Sequence, residues 1–529
     1  MSAGKVYFKQ NVQVEPLFNQ WYAWSFLIAP ETAAMYVANS HLKLMQSFVA
    51  APQVHISALK NPAMLGGPFI NCEASRVGEL QELANNIKSR HGHMLEFAEA
   101  VKALDKLLSQ EAKGYSLEPL YPMIPDILKG YVELVYDLNH TPSFRFVEGL
   151  LYQSRFYNPA SQSLTLSLVE DDDRPFAFST PRLKEAGRLH VSLPFADEAL
   201  DELFQMKTMP RPYDQIRERL NISVEDDELF RSFFTEETPP APAAPDAAMR
   251  VRYFGHACVL VTTGEASILI DPVISYSSSN GLPRYTFEDL PETIDFVLIT
   301  HNHQDHCMFE TLLQLRHKVK QILVPKNSGG SLVDPSLKLV LKNIGFKNVI
   351  ELDEMETISF DGGKITGIPF LGEHADFNIR SKLAYWLSVN GKNMLWVADS
   401  NNIEPRLYER IREALGSLDL LFIGMECDGA PFSWMYGPLL TRPLARTIDQ
   451  SRRLNGSDYE KGLSIVDSLQ PKHVYVYAMG QEPWLTYLTS IKYTEQSRPI
   501  IESNKLVASC RERGILAERL YGCKELVLA

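Results

Sequence analysis

The feature that most constrains this chain is a short cluster of three histidines and one aspartate, the hexapeptide His301-Asn302-His303-Gln304-Asp305-His306. It follows an apolar run from Phe296 to Ile299, which predicts a buried strand. Alternate side chains of an extended segment share a face, so His301 and His303 can bind one metal ion together. Asp305 and His306 stand at the turn into a predicted amphipathic helix, so they can face a second ion. The apolar positions of that helix are Met308, Leu312, Leu313, Leu315 and Val319.

The chemistry of these side chains limits the choice of metal. Imidazole nitrogens and carboxylate oxygens suit zinc, iron or manganese better than calcium or magnesium. A solvated histidine-rich loop is the alternative interpretation, but such a cluster rarely arises by chance in a chain with 13 histidines among 529 residues. The hexapeptide therefore predicts a site for two metal ions.

A proline- and alanine-rich stretch divides the chain. Residues 236–249, which contain Thr-Pro-Pro-Ala-Pro-Ala-Ala-Pro, are typical of a semi-rigid linker because they cannot build a core. We therefore expect an N-terminal domain at residues 1–235 and a second domain at residues 250–529. In the first domain, helical periodicity between Val77 and Leu108 and strand-like runs at 164–169 and 189–193 predict a mixed α+β fold.

Strand and helix signals alternate in the second domain. Apolar runs predict a hairpin across Val251 to Thr263 and a second hairpin that turns at Asn390-Gly391. Further strands are predicted at 268–270, 296–299, 322–325, 420–424 and 473–477. This order predicts an α/β (α+β) architecture in which two sheets form a sandwich with helices outside.

Composition excludes several classes of partner. A net charge of −13 argues against nucleic acid or an anionic membrane as the main partner. No stretch approaches the roughly 18 apolar residues of a membrane span, and no signal peptide is evident near Met1. The six cysteines are scattered without a Cys-x-x-Cys pair, which favours free thiols in a reducing compartment. We therefore expect a cytoplasmic protein that binds neither nucleic acid nor membrane.

Three motifs resemble the metallo-β-lactamase fold. They are Gly255-His256-Ala257, Ile270-Asp271-Pro272 and the cluster from His301 to His306. The resemblance covers the second domain and implies an αββα sandwich with its metals at one edge of the sheets. It is weak for function, because this fold hosts hydrolases, nucleases and oxygen reductases.

The ligands expected downstream of the cluster narrow the function. Hydrolases of the fold place a His, then a bridging Asp, then a terminal His. Asp399 matches the bridging residue, and Glu373 and His374 compete for the middle position. The terminal His should follow the predicted strand that ends at Tyr477, but the chain continues there as Ala-Met-Gly.

These departures resemble the diiron oxygenase branch of the fold, typified by a β-hydroxylase of chloramphenicol biosynthesis. In that branch the middle ligand is a Glu and the terminal His is absent. The resemblance extends into the first domain through the segments Val14 to Leu17 and Trp21 to Trp24. The implied ligands are His301, His303 and Glu373 for the first iron, and Asp305 and His306 for the second, with Asp399 bridging.

The chemistry of this ligand set favours iron. Two imidazoles and one carboxylate leave open positions for O₂ and substrate, as in non-haem iron oxygenases. Replacing an imidazole by Glu373 adds negative charge, which stabilises ferric iron and weakens the Lewis acidity that a zinc hydrolase needs. We therefore expect two Fe ions with O₂ as co-substrate, and two Zn ions as the alternative.

Other residues have predicted roles around the metals. Asp271 is expected to orient a ligating His through a hydrogen bond, with a turn cap as the alternative. His256 is either such a partner or a core histidine. His374 is expected to line the pocket, and Glu426 matches a further active-site carboxylate of the branch, with a buried structural acid as the alternative. Four aromatic residues either line a substrate channel or pack in the core: Phe432, Trp434, Tyr436 and Trp484.

The resemblance implies an O₂-dependent diiron monooxygenase that β-hydroxylates an aminoacyl group in natural-product (antibiotic) biosynthesis. The group would be held as a thioester on a carrier (thiolation) domain of a nonribosomal peptide synthetase. No flavin or iron–sulfur motif is visible, so an external reductase is expected to donate electrons. The first domain would cover the active site, dock the carrier domain or form a homodimer.

Two other functions remain as alternatives. A dizinc hydrolase of the same fold would act on a lactone, thioester or phosphodiester, with His374 as a ligand in place of Glu373. A catalytically silent binding module would keep the fold without the chemistry, but the nearly complete ligand set argues against it.

Overall fold

The structure, a computed structural model, describes residues 4–240, 248–278 and 281–528. The predicted linker at 236–249 falls partly on residues 241–247, which lie outside the described residues. The boundaries 1–235, 236–249 and 250–529 therefore stay predictions.

The N-terminal domain combines small sheets with a helical layer. Strand orders β8-β1-β9 and β3-β2-β6-β7 form its sheets, and β4 and β5 form a hairpin. The strands are β1 (Lys5–Phe8), β2 (Val12–Phe18), β3 (Trp21–Tyr22), β4 (Val132–Tyr136), β5 (Pro142–Phe146), β6 (Gln162–Leu168), β7 (Leu189–Val191), β8 (Arg211–Pro212) and β9 (Phe234–Thr235).

The helices of this domain follow the apolar periodicity of its sequence. Those at the predicted positions, α5 and α6, bury residues at helical spacing, among them Leu80, Leu83, Val101 and Leu104. The helices are α1 (Ser25–Ile28), α2 (Pro30–Tyr36), α3 (Leu42–Ala50), α4 (Pro52–Leu59), α5 (Val77–Arg90), α6 (Gly92–Glu111), α7 (Glu148–Leu151), α8 (Ala199–Gln205), α9 (Tyr213–Arg219) and α10 (Asp227–Ser232). A π-helix at Val37–His41 joins α2 to α3 without a loop.

The second domain contains two large sheets that pack face to face. Their strand orders are β15-β14-β13-β12-β11-β10-β23 and β16-β17-β18-β19-β20-β21-β22. The strands are β10 (Met249–Gly255), β11 (Cys258–Thr262), β12 (Ser267–Ile270), β13 (Ile294–Leu298), β14 (Val319–Pro325), β15 (Val349–Leu352), β16 (Thr357–Phe360), β17 (Gly363–Pro369), β18 (Leu383–Val389), β19 (Lys392–Trp396), β20 (Leu420–Gly424), β21 (His473–Tyr477), β22 (Leu516–Arg519) and β23 (Lys524–Leu528).

Helices cover the outer faces of this sandwich. They are α11 (Phe309–Leu315), α12 (Leu337–Asn343), α13 (Arg406–Leu415), α14 (Ser433–Tyr436), α15 (Arg446–Ser451), α16 (Tyr459–Leu469), α17 (Thr486–Thr489) and α18 (Arg498–Glu512). The predicted αββα sandwich behind a separate α+β domain is confirmed. Within the described residues, no helix is both long and apolar enough to cross a membrane.

The structure agrees with the predicted hairpin turn at Asn390-Gly391 but not with the predicted length of the helix after the metal cluster. The β18–β19 hairpin turns at Asn390 and Gly391, whose φ angles of 48° and 74° suit the tight turn of a hairpin. The helix predicted to reach Val319 ends at Leu315, so that part of the prediction is wrong. Val319 instead begins β14, where it pairs with Ile294 of the parallel strand β13.

Three apolar cores hold the molecule together. One lies between the two sheets and includes the buried rings of Tyr385 and Trp396. Another packs α13, α16 and α18 against the second sheet. The third joins the outer face of the first sheet, through residues such as Leu269 and Val297, to the interior of the N-terminal domain. The two domains therefore share a core, which places the N-terminal domain directly against the cluster-bearing half of the sandwich.

Candidate metal centre

The predicted site residues meet because several strands end at the same edge of the sandwich. Strand β12 runs parallel to β13, and β19, β20 and β21 run parallel to one another, so the carboxyl ends of these strands lie together. The residues that follow strand ends are Asp271 after β12, His301 to His306 after β13, Glu373 and His374 after β17, Asp399 after β19 and Glu426 after β20.

The first predicted ligand set is compact. His301, His303 and Glu373 each offer a ligand atom within 4.8 Å of the others, and all three are buried. His303 Nδ1 lies 2.8 Å from Glu373 Oε1. Burial alone would raise the pKa of Glu373, but the neighbouring His303 and His374 more than reverse this and hold it well below its usual range. A carboxylate kept ionised beside two imidazoles is a suitable ligand set for a cation.

The second pair lies beside the first. His301, His306 and Asp399 form one further group of ligand atoms within 4.8 Å, and His256, Asp305 and His306 form another. His306 Nε2 is 3.1 Å from Asp399 Oδ2. Asp399 is thus positioned between the two sets, where a bridging ligand is expected.

His256 contacts one of the predicted metal ligands, Asp305. Its Nε2 lies 3.3 Å from Asp305 Oδ2, and its Nδ1 accepts a hydrogen bond from the backbone N–H of Gly480. The loop after Tyr477, where other members of the fold carry the terminal His, thus contacts the site by holding His256 through its backbone. Both Ala478 and His256 adopt positive φ angles, of 51° each, to make this approach.

Asp271 has the contacts that an orienting residue needs. Its Oδ2 lies 2.8 Å from His306 Nδ1. It also accepts hydrogen bonds from the backbone N–H and the hydroxyl of Thr300, at 2.7 and 2.6 Å. Asp271 is fully buried, so these partners hold its carboxylate in one orientation. The role of Asp271 in orienting His306 stays a prediction.

His374 and Glu426 flank the ligand sets without joining them. His374 Nδ1 is 2.7 Å from Glu373 Oε2, and its ring stacks on His303 with centroids 4.6 Å apart. Glu426 is half-buried. Burial, followed by the negative charges of Asp399 and Asp305, raises its pKa well above the usual range. Neither residue belongs to a group of three ligand atoms among the described residues.

The site fits two cations on its own geometry. His301 Nε2 and Asp399 Oδ1 are buried and lack a hydrogen-bond partner in the described part of the chain. Three carboxylates, from Asp305, Glu373 and Asp399, also belong to adjoining groups of ligand atoms that share His301 or His306. Buried unpaired polar atoms and crowded like charges are both costly unless cations neutralise them.

Two contacts of the site were not predicted from the sequence. The Thr300 hydroxyl donates a hydrogen bond to Asp271 Oδ2, and its oxygen lies 2.9 Å from His301 Nδ1. Tyr436, predicted only as a channel or core residue, places its hydroxyl 3.2 Å from His303 Nε2. A polar residue directly between the apolar strand and the cluster was a usable signal for Thr300. Tyr436 comes from a distant loop and left no local signal.

Comparisons with known proteins agree with this geometry. Residues 7–239 match the family model of a diiron non-heme beta-hydroxylase N-terminal domain, and residues 266–437 match a beta-lactamase superfamily domain. The 4-amino-L-phenylalanyl-[CmlP-peptidyl-carrier-protein] 3-hydroxylase of Streptomyces venezuelae is 41% identical over 522 residues, covering 97% of this chain and 98% of that protein.

A solved structure extends the similarity to the whole fold. The crystal structure of CmlA, a diiron beta-hydroxylase from Streptomyces venezuelae, superimposes with a TM-score of 0.94 at 39% identity and covers 100% of both chains. A mutant of that β-hydroxylase gives a TM-score of 0.91 at 38% identity, over 99% of this chain and 100% of the other.

Proposed function

The chain belongs to the diiron non-heme β-hydroxylase family, and on that premise we propose that it β-hydroxylates an aminoacyl group held as a thioester on a carrier domain of a nonribosomal peptide synthetase. As a member of this family it is a diiron oxygenase that uses two Fe ions and O₂. The Streptomyces venezuelae relative is named for a substrate carried on a peptidyl carrier protein. That name supports a carrier domain as the partner here.

The observation that carries the proposal is the buried set of His301, His303 and Glu373. When bound, two irons supply redox chemistry and activation of O₂. In the alternative dizinc hydrolase His374 would be a ligand, but this residue faces Glu373 and stands outside the three-residue sets of the described chain. The diiron relative also favours the hydroxylase over the hydrolase.

We assign the surrounding residues roles that prepare the site. His301, His303 and Glu373 would hold one iron, Asp305 and His306 the other, and Asp399 would lie between them. Asp271 would keep the His306 ring turned so that Nε2 faces the metals. Glu426 would serve as an active-site carboxylic acid beside Asp399, and His374 would fix the second oxygen of Glu373.

Two further partners belong to the proposal. A separate reductase would supply the electrons that the reaction consumes. A homodimer, which the N-terminal domain would form, remains a second proposal that sedimentation analysis can test.

The function is tested by mass spectrometry of loaded carrier domains. Iron-loaded protein is incubated with a reductant, O₂ and a panel of carrier domains, each bearing a different aminoacyl thioester. We expect one carrier-bound amino acid to gain the mass of one oxygen atom, with the label when ¹⁸O₂ is used. Release of free amino acid without O₂, by zinc-loaded protein, would instead identify a hydrolase.

A further inference from the structure

A cavity of about 680 Å³ lies between the N-terminal domain and the loop that carries α14. Exposed residues such as Lys43 and Pro68 line its outer part. Buried residues, Trp24 and Gln304 among them, line its inner part. Gln304 stands between His303 and Asp305 in the metal cluster. The cavity therefore leads from the surface to the loop that presents the metal ligands.

The lining of this cavity is mainly apolar and almost uncharged. Lys43, near the outer end, is the only charged side chain among the described residues that line it. The rest of the wall consists of aromatic, aliphatic, glycine and proline residues, together with a set of neutral hydrogen-bonding side chains. The neutral polar residues are Asn39, Ser40, Ser47, Ser179, Gln304 and Ser433. Such a wall suits a flexible, neutral ligand that carries amide groups.

Two side chains of the wall, His41 and Trp21, each carry a buried polar atom without a partner in the described part of the chain. His41 and Trp21 stack with ring centroids 4.0 Å apart and an interplanar angle of 1°. Their exposed fractions are 3% and 1%. His41 Nδ1 and Trp21 Nε1 each lack a hydrogen-bond partner among the residues that the structure describes. Because an unpaired buried polar group is costly, two of them side by side in a cavity wall point to a ligand.

The backbone conformation that presents His41 is itself unusual. The π-helix at Val37–His41 interrupts the continuous helical run from α2 to α3. Asn39, Ser40 and His41 all belong to this segment and all line the cavity. Single π-turns inside α-helices are frequent at functional sites. Burial lowers the pKa of His41 to about 3, so its neutral ring offers one donor and one acceptor nitrogen.

Building on the proposed function, we propose that this cavity binds the pantetheine arm that carries the aminoacyl thioester. The Trp21 Nε1–H would donate a hydrogen bond to a carbonyl of the arm. His41 Nδ1 would accept a hydrogen bond from an amide N–H of the arm. The arm is a flexible neutral chain whose amides supply both kinds of group. The carrier domain would stay outside, near Lys43, while the aminoacyl end would reach Gln304 and the metals. Trp21 and His41 are thus positioning residues for the substrate, contributed by the N-terminal domain.

The test measures binding of the arm without its amino acid. The probe is N-acetyl-aminopantetheine, in which an amide replaces the thioester, and it is titrated into the iron-loaded full chain by calorimetry. His41→Phe and Trp21→Phe keep the ring stack but remove one hydrogen bond each. Each substitution should raise the Kd by roughly five- to tenfold.

A second probe separates hydrogen bonding from packing. It carries esters in place of the amides of the arm and so lacks their N–H donors. For the wild type, the Kd of the ester probe should be higher than that of the amide probe. For His41→Phe, the Kd values of the two probes should be about equal. His41→Asn, which restores an acceptor, should recover part of the affinity.

The control is His91→Phe, another buried histidine of the N-terminal domain whose Nδ1 lacks a partner among the described residues but which does not line the cavity. It should leave the Kd unchanged, and circular dichroism checks that each variant is folded. This inference would be overturned if the wild type hydroxylates a loaded carrier domain but does not bind the probe. It would also be overturned if the wild type binds the probe no better than folded His41→Phe and Trp21→Phe do. Either outcome would leave the proposed function unaffected. A wild type that hydroxylates no loaded carrier domain would overturn the proposed function itself.

Discussion

Glu373 illustrates how individual residues are constrained at the metal site. It adopts a φ of 61°, and Ala375 and Asp376 in the same loop adopt 53° and 58°. Ala398, directly before Asp399, has a φ of 47°. Non-glycine residues in this left-handed region cost about 1–3 kcal/mol each and persist only where the surroundings impose them. These conformations therefore lower the stability of the fold, and they direct the Glu373 and Asp399 carboxylates toward the histidines.

Replacing Glu373 tests its proposed role as a ligand. Glu373→Ala removes the carboxylate 2.8 Å from His303 Nδ1 and should reduce bound iron from about two toward one per chain. Metal analysis of protein purified from iron-supplied cells measures the content. His473→Ala is a suitable control, because His473 lies at the opposite end of β21 from the site. Full iron occupancy in Glu373→Ala would contradict the assignment.

Asp271 tests the importance of ligand orientation. Asp271→Asn keeps the size of the side chain but removes the charge beside His306 Nδ1. Iron affinity should fall by about 10- to 100-fold, the usual effect of losing such a partner. Competition with a chelator measures the affinity. Asp295→Asn, which alters a carboxylate on β13 away from the metals, should leave it unchanged.

Helix α2 contains a buried glutamate whose pKa is strongly raised. Glu31 lies in its first turn, is fully buried, and has no hydrogen-bond partner for either carboxylate oxygen within the described chain. Burial, and then the charge of Glu148, raises its pKa from 4.5 to about 8. The folded state therefore holds a proton here that the unfolded chain releases at lower pH.

Stability should depend on pH through this residue. A raised folded-state pKa contributes stability below pH 4.5 that is lost as pH rises toward 8. Glu31→Gln removes this titration, so the variant should gain stability relative to the wild type across that range, by up to about 5 kcal/mol. Thermal unfolding of both proteins at several pH values measures the difference, which cancels the titration of the shared metal site. Glu82→Gln, at an exposed position of α5, should show no such trend.

A buried ionic network joins the domains at the scale of the whole molecule. Arg174 Nη2 lies 2.6 Å from Glu15 Oε1 and 2.8 Å from Glu310 Oε2. Arg182 completes the network, with its Nε 2.7 Å from Glu15 Oε2. Glu310 belongs to the first turn of α11, four residues after His306. The N-terminal domain is therefore tied to the helix that begins beside the metal cluster.

Breaking this network should destabilise the entire fold. Arg174→Leu leaves Glu15 and Glu310 buried with one cation fewer, and such losses cost about 3–5 kcal/mol. Denaturant unfolding followed by circular dichroism measures the change. Arg410→Leu disrupts only an exposed pair with Glu413 and should cost less than about 0.5 kcal/mol. Equal effects of the two substitutions would show that the network does not join the domains.

Much of the catalytic half was predictable because its signals are local. Strands at 420–424 and 473–477 were predicted with the bounds they have, since each consists mainly of apolar and aromatic residues and begins directly after a charged residue. The end of α11 was missed because Val319 continues the helical spacing. Its pairing with Ile294, a tertiary contact, decides that it is a strand residue.

The sequence by itself predicted a site for two metal ions, because the ligand types and their spacing lie within six residues. It also predicted most of the sheet strands, because their apolar runs are contiguous. Only the tertiary structure decided which further contacts surround the site. Thr300 and Asp271, 29 positions apart, meet because parallel strands end at one edge. Tyr436 reaches His303 across 133 positions, and Gln304 shares a cavity with Trp21 and His41 of the other domain. Such contacts depend on how whole layers pack, and no local pattern along the chain encodes them.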